Sequence, residues 1–251
     1  MAPASQTIRA RAPAGVGNIG VGFDLLGHVF EGPGDIAAVR AISEPAVRIE
    51  IIAGSAPGAE RIPLDPDRNT AGRALAALRR DLDLRHGFAV TLEKDIPLGS
   101  GMGGSAASCV AALVAANALL DEPLDRHALY PFALEGESVA SNSRQGDNVA
   151  PMLLGGVVLA TATRMIPLAV PDWLYCVVVH PGQVLETRRA REVLVEPYPL
   201  QQVIAYGACL AQFVLGLERG DAELIRAGLR DLLVEPRRAP LVPGFDRAKA
   251  A

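Results

Sequence analysis

Aromatic residues are scarce in this chain, at 4% of its 251 positions, while half of the positions are hydrophobic. The core must therefore be aliphatic and rich in alanine. The three cysteines, Cys109, Cys176 and Cys209, stand singly in apolar runs, with no C-x-x-C among them. That excludes a disulfide framework or a zinc ribbon and points to buried thiols in a reducing cytoplasm. The four histidines, His28, His86, His127 and His180, show no ligand spacing. No apolar h-region opens the chain, so no secretion signal is expected. The apolar run 106–120 is interrupted by Ser108 and Asn117 and is too short to span a bilayer. A net charge of −4 with scattered arginines excludes a general nucleic-acid surface. These absences leave a soluble chain long enough for one large domain or two small ones.

The stretch that is present and unusual is PLGSGMGGSAA, 97–107. It joins an alternating run, FAVTLEKDI, to a run of small apolar residues, SAASCVAALVAANALL. The pattern predicts strand, glycine loop and buried helix. Gly99, Gly101, Gly103 and Gly104 allow positive φ and close approach of a ligand to the backbone. The helix start offers unpaired N–H groups and the positive end of a dipole. Together they make a phosphate cradle. No lysine follows the last glycine, so this is not a Walker A loop. Gly99, Gly101 and Gly104 fit G-x-G-x-x-G, which raises a dinucleotide site. However, the acidic residues Asp121 and Glu122 lead through Pro123 into another helical segment, where that fold needs a second strand. There is no G-x-S-x-G elbow for a hydrolase.

The chain in order predicts strands at 7–12, 23–30, 35–42, 46–53 and 88–96, with a loop at 13–22 and a turn at 31–34. Asn69 or Thr70 caps a helix running to about Leu82. A second helix covers 124–138, with Pro131 near its start, and 141–148 is a polar loop. The segment 149–163 suggests a strand. The run LYCVVVH, 174–180, suggests a central strand, and Trp173 an anchor beside it. Helices follow at 187–195, 199–219 and 221–233, then mainly loop. The prolines Pro167 and Pro171 suggest a boundary, dividing the chain into 1–165 and 166–251.

PLGSGMGGSAAS resembles the second motif of the GHMP small-molecule kinases, P-x-G-x-G-L-G-S-S-A-A. The segments PAGVGNIGVGFDLLG, GDNVAP, TRRAR and RAPLVPGF, in that order over nearly the whole chain, resemble homoserine kinases within that superfamily. The resemblance implies an α+β, two-domain fold, with a ribosomal-protein-S5-like N-terminal domain that binds ATP and a ferredoxin-like C-terminal domain. It implies phosphorylation of the L-homoserine hydroxyl with ATP and Mg²⁺, a cytoplasmic step toward threonine. No nucleic acid or membrane is a partner on this reading, and the oligomeric state stays open between monomer and homodimer.

The resemblance also assigns residues. Pro97, Leu98, Gly99, Ser100, Gly101, Met102, Gly103, Gly104, Ser105, Ala106 and Ala107 form the nucleotide loop. Ser105 and Glu137 hold the metal, with Glu135 the competitor for the second place. Arg191 and Arg238 take the substrate carboxylate, with Arg188 and Arg189 as rivals of Arg191. Asp24 takes the ammonium, Asn18 touches the substrate, and Asn148 and Asp147 lie near the reacting groups. None of them announces itself as a general base, so positioning and charge stabilisation are the expected means.

Two departures stand out. Gln145 occupies a substrate position where the family usually has His; it can hydrogen-bond but cannot carry charge. No G-A-G-P-type third motif appears, which leads us to expect an incomplete C-terminal domain with an exposed sheet edge. The alternatives left open are a GHMP kinase for another alcohol, a nucleotide-binding remnant and, most remotely, a dinucleotide-dependent oxidoreductase.

Overall fold

The computed structural model describes residues 6–141, 144–181, 185, 187–194 and 197–251. A single mixed sheet carries six strands: β1 (Thr7–Gly17), β2 (Leu26–Ile42), β3 (Val47–Gly54), β4 (Gly87–Lys94), β5 (Val157–Ala160) and β6 (Met165–Leu168). The long β2 organises it. β1 runs antiparallel along one edge of β2; on the other edge β4 pairs with Ile36–Ile42 and β5 with Leu26–His28. β3 adds parallel to β4, and β6 antiparallel to β5.

The helices split between the two faces, and the two-residue period of the strands shows how. On β5, Val158 and Ala160 join the large core under α1 (Thr70–Asp81), α2 (Gly104–Asn117), α3 (Tyr130–Ser141) and α4 (Val149–Leu154). Val157 and Leu159 face the opposite way, onto α6 (Leu200–Arg219) and α7 (Ala222–Gly228). α2 is buried nearly all round, which is why it is apolar on every side. Its alanines let it sit close to β1 and β2 while α1 and α3 cover it. Farther along the sheet the second face is wet and carries cross-strand ion pairs, Arg9–Glu93 at 2.8 Å and Arg40–Glu50 at 2.5 Å.

Several sequence expectations change. The segment 13–17 is not loop: β1 runs on to Gly17, with a bulge between Pro13 and Gly15. The turn expected at 31–34 does not end the strand: β2 runs through it, with Phe30 to Pro33 forming a bulge that has no partner on β1 between the pairs Pro13–Gly34 and Gly15–Val29. The segment 149–154 is helix α4, and only 157–160 is strand. The second helix starts at Tyr130, with Pro131 in its first turn, where a missing N–H costs nothing. The strand expected over 174–180 is not formed. A strand needs a partner, and the described residues beyond Leu168 form helices, turns and irregular backbone only. Tyr175, Val177 and Val179 are left exposed, Cys176 is exposed rather than buried, and Trp173 is half exposed. β6 belongs to the same sheet and crosses the expected boundary at 165.

Helices are expected at 187–195 and 221–233. The structure has α5 (Thr187–Glu192), with Val195 outside the described residues, and α7, which Asp221 caps by accepting from the N–H groups of Glu223 and Leu224. Asn69 caps α1 in the same way. The tail expected as mainly loop carries α8 (Glu235–Arg238) and α9 (Phe245–Ala250).

α6, expected as a helix over 199–219, is long and apolar enough, by length and composition, to cross a membrane. Here it packs Cys209, Phe213 and Leu217 against Leu26, Val21 and Ile225. Gly216 and Gly228 bring α6 and α7 backbone to backbone, since a Cβ on Gly228 would lie 2.3 Å from the Phe213 nitrogen. Phe213 is therefore the central peg of this second core. We expect Phe213→Ala to lower unfolding free energy by about 3–5 kcal/mol in urea titration, with the spectral signature of α1–α3 retained in the folded variant.

Candidate active site

A cleft of about 680 Å³ opens where the end of β1, the 97–103 loop, α3 and α5 converge. Its size suits a small-molecule site. The loop forms the floor. Gly99, Gly101 and Gly103 all adopt left-handed φ (69°, 76° and 69°), the kind of backbone from which anion-binding nests are made. Gly103 is the N-cap of α2 and no side chain caps that helix, so its first-turn N–H groups remain available to a ligand. A Cβ built on Gly101 meets nothing within 4 Å, so the space above it is open.

Pro97, Leu98, Gly99, Ser100, Gly101, Gly103, Gly104 and Ser105 line the cleft. Met102, Ala106 and Ala107, expected in the nucleotide loop, turn into the core instead. The Met102 carbonyl accepts the N–H of Gly15 at 3.2 Å, which fixes the loop to β1.

Above the start of α2, Ser105 Oγ lies 3.1 and 3.2 Å from the two carboxylate oxygens of Glu137, on α3. Burial pushes the Glu137 carboxyl up to about 8, with Asp147 adding to the rise and Ser105 and Lys94 opposing it. Glu135 is engaged elsewhere, by Arg73 at 2.9 Å and Arg144 at 3.2 Å. Two residues along a helix are about 200° of rotation, so only one of these glutamates can face the cleft. The structure brings Glu137 and Ser105 together and leaves Glu135 outside.

At the other end, the turn after β1 is tight. Asn18, Ile19 and Asp24 hold positive φ (75°, 37° and 58°), which is costly for non-glycine residues. Asn18 Oδ1 accepts the N–H of Asp24 at 3.0 Å, and Tyr206 of α6 accepts that of Phe23 at 3.1 Å. Asp24 then receives a two-pronged ion pair from Arg191 of α5, at 2.7 and 3.0 Å. Arg189 is exposed, and the side chain of Arg188 lies outside the described set. Arg238 donates its Nε to the Ala190 carbonyl at 2.7 Å and stacks over the Phe23 ring at 4.8 Å, with Arg191 over the same ring at 5.4 Å. The two assigned arginines thus converge on one aromatic ring. Gln145 lines the cleft as well.

Asp147 and Asn148 lie between these ends. A Cβ on Gly17 would come 2.1 Å from Asp147 Oδ2, and one on Gly27 1.6 Å from the Asp147 carbonyl, so glycines on β1 and β2 make room for this segment. Asn148 Oδ1 and Arg191 Nε are buried without a partner among the described residues. Burial, then the charge of Asp24, raises the Asp147 carboxyl to about 6, while Arg191 and nearby N–H groups pull it down. Sequence reading missed Asp35 and Lys94, which sit behind the loop; no local signal links residues 59 apart.

Residues 69–156 match the family described as GHMP kinases N terminal domain. A glycine nest at a helix start, one carboxylate beside its serine and a separate charged end to the cleft fit that class of small-molecule kinases. Over 250 residues, the chain is 56% identical to the homoserine kinase of Xylella fastidiosa, covering 100% of this chain and 77% of that one. It is 56% identical over 243 residues to the homoserine kinase of Xanthomonas campestris, covering 97% and 74%. The crystal structure of homoserine kinase from Cytophaga hutchinsonii superposes with a TM-score of 0.92 at 37% identity, covering 100% and 80%. The chain belongs to the homoserine kinase family.

The folded-state Asp147 value lies above the ordinary 3.8, so between about 4 and 6 the folded chain holds more protons than the unfolded one. This group's contribution to stability is full below about 4 and is lost as pH rises to about 6. The span corresponds to at most about 3 kcal/mol. Asp147→Asn is expected to flatten the pH dependence of the thermal midpoint across that window.

Proposed function

We propose that the chain transfers the γ-phosphoryl group of ATP to the side-chain hydroxyl of L-homoserine, giving O-phospho-L-homoserine and ADP. The observation that carries this reading is one continuous cleft with a phosphate-sized nest at one end and a paired Asp24–Arg191 with Arg238 at the other. The nest suits a polyanion. The charged end suits an amino acid, which brings one ammonium and one carboxylate.

On this reading the N–H groups of the 97–103 loop and the first turn of α2 bind the phosphates. Asp24 takes the substrate ammonium, and Arg191 and Arg238 take its carboxylate. The substrate's two charges replace the pairing that Asp24 and Arg191 make with each other, so the site loses no charge partner on binding. Asn18 and Gln145 orient the chain of the substrate, and Asn148, with its unpartnered buried oxygen, is placed to hold the acceptor hydroxyl in line. In the transfer the acceptor oxygen bonds to the γ-phosphorus, the bond from that phosphorus to the bridging oxygen breaks, and the hydroxyl proton passes to the transferred phosphate. Asp147, in the loop ahead of α4, holds that loop or bears on the acceptor hydroxyl.

Ser105 and Glu137 would hold Mg²⁺. A hydroxyl and a carboxylate are hard oxygen donors of the kind it takes, and few protein ligands suit an ion that keeps waters and phosphate oxygens. Among the described residues no group of three or more His, Cys, Asp or Glu could hold a metal, so no all-protein cage competes. The ion would supply charge neutralisation at the phosphates. We place the nucleotide unit in the N-terminal part and the remainder after it, with the division moved from 165 to follow β6, since that strand belongs to the N-terminal sheet, in a cytoplasmic setting suited to three free thiols.

A coupled ADP assay over a panel of alcohols tests the assignment. Turnover of L-homoserine ahead of mevalonate is expected; turnover of mevalonate alone, or ATP binding without transfer, would overturn it. Arg238→Ala should raise the homoserine KM by about 10- to 100-fold while the ATP KM stays within about 2-fold; equal rises would remove Arg238 from the acceptor end. Gly101→Val places a branched side chain in the open space above the loop and at a left-handed φ, so nucleotide affinity should fall by at least about 10-fold in calorimetry.

A further inference from the structure

We propose that Asp35 is a positioning residue for nucleotide binding: it fixes the entry of the glycine loop directly and its exit through Lys94 and Ser108, and so the direction in which the loop's N–H groups point. The inference rests on the loop being the phosphate cradle.

Asp35 lies on β2 and is fully buried. Its two oxygens serve different elements. Oδ1 accepts the N–H groups of Asp95 at 3.0 Å and Ile96 at 3.2 Å, the residues that lead into the loop. Oδ2 accepts the Lys94 ammonium and the Ser108 hydroxyl, the latter at 3.0 Å. Lys94 in turn donates to the Gly104 carbonyl at 2.6 Å and to Ser108 Oγ at 2.7 Å, both on α2, where the loop ends. Entry and exit of the loop are therefore tied to one carboxylate on a central strand.

Lys94 lines the cleft, and a lysine beside a phosphate loop invites assignment as a phosphate ligand. An ammonium has three hydrogens. Here they go to Asp35, Gly104 and Ser108, so this lysine acts on the backbone rather than on the cleft. Burial lowers its pKa and Asp35 opposes that fall. A buried ion pair is a poor device for stability alone, because apolar residues of like volume commonly serve as well or better. Apolar residues would fill the space, but they would leave the Asp95 and Ile96 N–H groups without these acceptors and the Gly104 carbonyl without this donor. What the pair provides over a hydrocarbon filling is orientation of backbone.

The test compares Asp35→Asn, Ser108→Ala, the double variant Asp35→Leu/Lys94→Met and Gly101→Val. Each is measured for ADP affinity by calorimetry with MgCl₂, for the homoserine KM and for thermal midpoint. Asp35→Asn should weaken ADP binding by at least about 10-fold with the homoserine KM within about 2-fold. The double variant, which removes the unpaired buried charge but not the loss of acceptors at Asp95 and Ile96, should regain part of the midpoint that Asp35→Asn loses without regaining ADP affinity, a split that a purely structural role would not give. If Asp35→Asn does not fold, the double variant and Ser108→Ala decide, the first expected to bind ADP at least about 10-fold more weakly and the second about 3-fold. ADP affinity that follows the midpoint across the set, or stays at the wild-type value in the folded variants, would overturn the proposal. Gly101→Val separates the two levels: if it weakens ADP binding while the Asp35 variants do not, Asp35 alone is wrong. If it too leaves ADP binding unchanged, the cradle reading falls.

Discussion

The structure depends on a conflict between two demands on one short stretch of backbone. A loop that grips phosphates must leave its own N–H groups unpaired and turned outward, yet unpaired backbone has no reason to hold its shape. The usual means of stiffening a chain, pairing it into a ladder or a helix, would use up the groups the site needs. This fold stiffens the two ends and holds the middle through alternate residues, Ser100 and Met102, rather than through the glycines. Asp35 and Lys94 hold the entry and exit, Gly15 and Met102 hold the loop to β1, and Thr70 of α1 donates to the Ser105 carbonyl at 2.9 Å. Within the loop the Ser100 N–H goes to the Pro97 carbonyl and the Met102 N–H to Ser100 Oγ, which leaves the three left-handed glycines between and beside them to face a ligand without a side chain of their own in the way.

The same logic explains where the sequence was readable and where it was not. The glycine loop, α1 with its Asn69 cap and the small-residue helix α2 were legible because their causes are local: spacing, capping and uniform apolarity. The course of β1 and β2 was not. Glycine and proline at 13–17 and 31–34 look like punctuation; the first stretch instead pairs along β2, while the second marks the bulge at which Phe30 to Pro33 leave the β1 register without ending the strand. The run 174–180 shows the opposite error. Its composition is that of a strand, and composition cannot supply the neighbour that a strand must have.

Site residues divided on the same line. The sequence ranks Glu137 ahead of Glu135, and the turn of α3 gives the physical reason, setting one toward Ser105 and the other toward Arg73. Asp24, Arg191 and Arg238 could be picked out one by one, but not the way they meet. The sequence reading had Asp24 and the arginines waiting separately for a substrate. In the structure Asp24 and Arg191 already satisfy each other, and both arginines rest on Phe23, a residue singled out by no motif. Asp35 was invisible because its importance lies wholly in contacts with residues about sixty positions away.

The bare run at 174–179 has a practical side. Tyr175, Val177 and Val179 are 85%, 86% and 68% exposed, β-branched or aromatic, and free of any ladder in this fold. Backbone of that kind is a template for growth between molecules. The shelf life of a concentrated sample should therefore be governed by how often two such ribbons collide, and excipients that mask ribbon edges should prolong it more than those that raise the melting point.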